Sequence, residues 1–163
     1  MKKIEITVYE FSELHEKIQD KLVNEYTLYD DGYEYMIEEW HKKLSLMGYK
    51  NPKIKFSGFG SQGDGASFTC TLDPKTFGVE PGVYISRRNS KYLHEKSCFI
   101  DGYFDDPDRR KELLEQYRNI CKKIYRGLEE EHDYLTSKEA IKEHYTANEC
   151  MFYEDGRIYH ETR

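Results

Sequence analysis

The feature that most constrains this chain is the run Phe-Ser-Gly-Phe-Gly-Ser-Gln-Gly-Asp-Gly-Ala-Ser-Phe at residues 56–68. Gly58, Gly60, Gly63 and Gly65 fall within it, and the residues on either side are rich in apolar and β-branched side chains. Glycine reaches positive φ without a Cβ penalty, and clusters of Gly, Ser and Asp between such segments mark a turn. Strands are therefore expected at residues 53–59 and 66–72, paired antiparallel through this loop. Gly58 to Gly63 satisfies G-x-G-x-x-G, but a strand follows where a dinucleotide site needs a helix. No Lys-Ser or Lys-Thr follows the last glycine, so the P-loop pattern fails as well. A kinase-type phosphate hairpin lacks its His-Arg-Asp and Asp-Phe-Gly companions in so short a chain. Two readings of the loop stay open. In one it is a recognition element in which Ser57, Ser61, Gln62, Gly63, Asp64, Gly65 and Ser67 meet a partner or ligand; in the other it is a wide, bulged turn.

Around this hairpin the patterning predicts an α+β fold in one domain, residues 1–163. Residues 4–9, Ile-Glu-Ile-Thr-Val-Tyr, alternate as a half-buried strand does, and Phe11-Ser12 offers a staple and an N-cap for a following helix. Tyr33, Met36, Ile37, Trp40, Leu44 and Met47 recur at helical spacing, with Gly48 as the stop. Residues 73–81 read as loop, and residues 82–86 and 96–104 as further strands, the latter interrupted at Asp101-Gly102. Asp106-Pro107-Asp108 opens a long helix whose stripe runs from Leu113 through Tyr117, Cys121, Ile124 and Leu128 to Leu135. This helix is expected to cover one face of an antiparallel sheet. Thr136-Ser137-Lys138-Glu139 caps a last helix, and residues 149–159 read as a closing hairpin around Glu154-Asp155-Gly156.

Twenty-five basic residues against thirty-one acidic ones leave a net charge of −6, which opposes attraction to phosphate backbones and anionic membranes. Neither nucleic acid nor membrane is an expected partner. No apolar run approaches the ~20 residues of a spanning helix, and the opening residues lack a basic-then-apolar leader, so a cytoplasmic protein is expected. Cys70, Cys98, Cys121 and Cys150 are widely spaced and suit buried free thiols.

Glu38 with His41 and Glu129 with His132 form two E-x-x-H pairs at helical spacing, the arrangement carboxylate-bridged metal sites use. Such sites also need two further helical carboxylates in a four-helix bundle, so the metal-enzyme reading is a minor alternative. No cofactor and no catalytic set are expected, and no Ser or Cys triad is recognisable among His15, His94, His144 and His160. The acidic groups Asp105, Asp106 and Asp108, and Glu129, Glu130, Glu131 and Asp133, read as a helix N-terminus and a solvated helix face. An acidic helix can also occupy a nucleic-acid channel on another protein. Tyr26, Tyr29, Tyr33 and Tyr35 read as packing residues, with a contact surface as the alternative.

The 56–68 run resembles the hairpin of a family of small phage and prophage proteins, some described as antitoxin-like. The C-terminal blocks Tyr134-Leu135-Thr136-Ser137, Glu139-Ala140-Ile141, Ala147-Asn148-Glu149, and Phe152 with Glu154-Asp155-Gly156 are similar to the same family, as is Tyr9-Glu10-Phe11-Ser12-Glu13-Leu14. The resemblance implies a phage accessory role in the host cytoplasm, with a host or phage protein as target. It points to a counter-defence inhibitor, anti-CRISPR-like or toxin-neutralising. A nucleotide or cyclic nucleotide held by the glycine hairpin is the alternative ligand.

Overall fold

The stripe that begins at Leu113 forms the longest element of the computed structural model, which describes residues 1–26, 30–88 and 91–160. This helix, α4, spans Pro107–Leu135 and buries Leu113, Tyr117, Cys121, Ile124 and Leu128 at the 3.6-residue period of one face. Before it come α1 (Glu16–Glu25), α2 (Glu34–Leu46), β1 (Tyr49–Phe56), β2 (Ala66–Leu72), the single-turn α3 (Pro74–Phe77), β3 (Tyr84–Arg87) and β4 (Cys98–Asp101). After it comes α5 (Lys138–Ala147). The fold is α+β, as the patterning predicts. The chain divides into two compact units, Met1–Tyr29 with His132–Arg163, and Asp30–Glu131.

The Asp30–Glu131 unit is built on an antiparallel sheet of order β1-β2-β3-β4, so each strand pairs with its successor. Along β2, Phe68, Cys70 and Leu72 are buried while Thr71 is exposed. The Phe68 ring packs against Tyr117 of α4 with centroids 4.7 Å apart, which joins the sheet to the helix. The β2–β3 register covers only Cys70 and Thr71. At Phe68 the Tyr117 hydroxyl takes over: it receives the Phe68 N–H at 3.0 Å and donates to the Phe68 carbonyl at 2.6 Å. A side chain thus completes the ladder of a buried strand.

Several expectations need correction here. The first hairpin strand starts at Tyr49 and ends at Phe56, because the β1–β2 register shifts between Lys50 and Lys53 and accommodates Asn51 at φ 51° beside Pro52. The segment 73–81 holds α3, since Asp73 accepts the Thr76 N–H at 3.1 Å and Pro74 supplies a preset φ at the first turn.

In the Met1–Tyr29 and His132–Arg163 unit, Ser137 caps α5 as expected, receiving the Ala140 N–H at 3.2 Å. The expected strand at 4–9 does not form. Among the described residues only Tyr9 pairs, with Phe152, which itself pairs with Ile158. A β-branched run becomes a strand only where a neighbouring edge offers a ladder, and here that edge is one residue long. The helix expected from Ser12 is likewise displaced. Phe11–Glu13 makes one 3-10 turn, and α1 starts after His15, whose Nδ1 accepts the Lys17 N–H. Phe11, Leu14 and Phe152 form this unit's small core with Ile18, Leu22 and Tyr145 against it.

Among the described residues, no helix is long and apolar enough to cross a membrane.

Candidate functional site

The loop between β1 and β2 is closed at its base by Ser57 and Gly65. Ser57 N–H donates to the Gly65 carbonyl at 3.0 Å, and Gly65 N–H donates to Ser57 Oγ at 3.0 Å. Beyond this clasp the chain turns around the Asp64 side chain. Asp64 Oδ2 accepts the Ser61 N–H at 2.8 Å and the Gly60 N–H at 3.3 Å, while Asp64 N–H donates to the Ser61 carbonyl at 3.1 Å. The Ser61 N–H above all, then the Gly60 N–H and the Ser57 hydroxyl, hold the Asp64 carboxyl below the usual carboxylate range. Consecutive amides converging on one anion make a nest, and this loop fills its nest with its own carboxylate.

Packing at the flanks holds the loop in place. Tyr125 of α4 donates its hydroxyl to the Gly58 carbonyl at 2.9 Å and stacks on Phe59 with centroids 5.4 Å apart. Phe59 also meets Phe56 and Tyr33. On the other side, Gly65 lies so close to His94 that an added Cβ would sit 2.6 Å from His94 Cβ and 2.7 Å from its Cα. Gly63, at φ 96°, faces the Tyr92 ring, 3.2 Å from where its Cβ would stand. Only glycine fits both places.

The seven residues expected at the site therefore divide by role. Ser61 and Gln62 are exposed at the tip, and among the described residues the Gln62 side chain has no hydrogen-bond partner. Gly63 and Asp64 are half-buried and shape the tip from within, and Ser57 clasps its base. Gly65 and Ser67 are buried. Ser67 donates to the Leu93 carbonyl at 2.8 Å and receives Arg87 at 2.7 Å, which ties β2 to β3 and to the segment beyond it. Sequence patterning does not bring Tyr92, His94 or Tyr125 to this loop. Tyr125 carried a signal, as an aromatic on the helix stripe, whereas nothing in the local pattern marks Tyr92 or His94.

The other candidates lack a comparable setting. Glu38 is exposed on α2 and His41 half-buried, and Glu129 and His132 lie on α4. Among the described residues, no three of His, Cys, Asp or Glu gather closely enough to hold a metal ion. Cys70, Cys98 and Cys121 are buried and Cys150 half-buried, all as free thiols. Burial pushes the Cys70 and Cys121 thiols up to about 12, so they are inert packing groups at neutral pH. Asp106 caps α4 by accepting the Asp108 N–H at 2.9 Å, the structural role its position implied. Tyr33 is buried, Tyr26 packs edge-on against Tyr145, Tyr35 is exposed, and Tyr29 lies outside the described residues.

Residues 33–81 match a family described as Domain of unknown function (DUF8835). The matched stretch is well under half of the chain, and it contains α2, the whole hairpin and α3. Comparison with curated proteins and with solved structures gives no match.

Proposed function

We propose that this chain is a non-enzymatic binding protein that engages a protein target through the tip of its glycine hairpin. The observation that carries the reading is the Asp64 carboxylate seated on the Gly60 and Ser61 amides. It has two consequences. The loop is preformed without a ligand, so little ordering entropy remains to be lost when Ser61 and Gln62 dock. The amides that a phosphate would need are already taken, and by a group of the same charge, which counts against the nucleotide alternative. The overall charge of −6 suits a basic surface on the target. The phage-type resemblance of the hairpin supplies the setting: a counter-defence inhibitor, anti-CRISPR-like or toxin-neutralising, working in the host cytoplasm.

The test is capture from host lysate on immobilised wild-type protein and on Gln62→Lys, with heat-released small molecules identified in parallel. Any captured protein is then purified and titrated against both forms. The reading expects a stoichiometric complex that Gln62→Lys weakens at least tenfold. A retained nucleotide with no protein partner would replace this reading with the signal-sequestering one.

A further inference from the structure

Residues 4–8, Ile-Glu-Ile-Thr-Val, have the composition of a strand but no strand partner among the described residues. Among the described residues, residues 1–8 make no backbone hydrogen bond, and Ile4 and Ile6 are 82% and 52% exposed. Exposed apolar side chains that line up as one contiguous patch mark a surface for association. The edge of the four-stranded sheet offers a contrast. There β1 carries Pro52, a bulge at Asn51, and Lys50, Lys53 and Lys55, all devices that discourage strand addition. The segment 4–8 has no proline or bulge, and its central charge is Glu5 alone.

Among the described residues, the segment's pairing is the bridge at Tyr9. Tyr9 exchanges both backbone hydrogen bonds with Phe152, each at 2.8 Å. A strand that continues the extended geometry of Tyr9 back through residues 4–8 turns the N–H and C=O groups of Val8, Ile6 and Ile4 away from Phe152.

We propose that two copies of this chain pair along residues 4–8 as antiparallel strands about a two-fold axis through Ile6. Ile6 then faces the partner's Ile6, Ile4 faces the partner's Val8, and Lys2 comes opposite the partner's Glu10. Competing registers are poorer. A one-residue slip sets the isoleucines against the opposite face, and the two-residue slip centred on Glu5 places the two Glu5 carboxylates directly opposite each other. The pairing also extends what is already built. Ile158, Phe152 and Tyr9 are linked by antiparallel bridges, and joining two such sets across the axis yields a sheet of several strands, which is stable where a lone pair of strands is marginal. Such an interface is isologous and closed, and it uses residues distinct from the hairpin tip, so it stands or falls independently of the proposed function.

Sedimentation equilibrium of the full chain over a dilution series reads the association directly. The wild type should pass from monomer to dimer with rising concentration. Ile6→Pro, which removes the central N–H, and the double variant Ile4→Lys with Ile6→Lys should stay monomeric and melt at the temperature of the wild type diluted to monomer. Register is read by disulfide trapping in a Cys150→Ser background: the opposed Cα atoms of an antiparallel pair lie about 5.5 Å apart, within disulfide reach. Ile6→Cys should oxidise to a covalent dimer and Thr7→Cys should not. A wild type that remains monomeric throughout, a dimer indifferent to Ile6→Pro, or equal trapping at both positions would overturn the proposal.

Discussion

Two side chains do work in this protein that a backbone would ordinarily do. Tyr117 supplies a hydroxyl where β3 stops pairing with β2, and Asp64 supplies a carboxylate where a ligand would otherwise meet the loop amides. Removing only the hydroxyl, in Tyr117→Phe, keeps the ring contact with Phe68 but leaves a buried N–H and C=O without partners. The expected cost is about 1–3 kcal/mol of unfolding free energy, measured by urea denaturation with an unchanged m-value. Burial also pushes the Tyr117 phenol well above its ordinary range, so this contribution stays constant across neutral and moderately alkaline pH. Asp64 behaves oppositely. Its carboxyl is held below the ordinary carboxylate value of about 3.9, so its hold on the loop is complete above that value. The hold is lost as pH falls through the lower value of the folded state. Amide exchange at Gly60 and Ser61, corrected for intrinsic rates, should lose protection in that acid window, and Asp64→Ala should lose it at every pH.

At the scale of elements, the hairpin illustrates what local sequence can and cannot convey. Its second strand, Ala66–Leu72, was legible to the residue because alternation and β-branching agree with a partner that the loop delivers next door. The long helix and the capped last helix were legible for the same reason, since their periodicity and caps lie within the element itself. Residues 4–9 show the converse: equal propensity, but no adjacent edge, and no strand beyond the Tyr9 bridge. The glycines of the loop announced close approach without saying to what. His94 lies 29 positions after Gly65 and Tyr125 lies 67 positions after Gly58, and contacts at such separations have no local signature. The close approach itself predicts that Gly65→Ala destabilises the hairpin, because an added Cβ would meet His94 backbone as well as side chain. The melting temperature should fall by several degrees, whereas Gly60→Ala, with open space around its Cβ position, should leave it nearly unchanged.

Across the molecule, the net charge of −6 and the loop closed on Asp64 are the two features on which the proposed binding role rests. The hairpin lies inside residues 33–81, the stretch that matches the family of unknown function. In the proposed function, the Asp64 carboxylate closes this loop to phosphate and leaves its tip for a protein. An NMR titration of the isotopically labelled chain with nucleotides and cyclic nucleotides, following the Gly60 and Ser61 amides, tests it most directly. Both resonances should stay in place across the titration in the wild type. Saturable shifts of those two amides would contradict it.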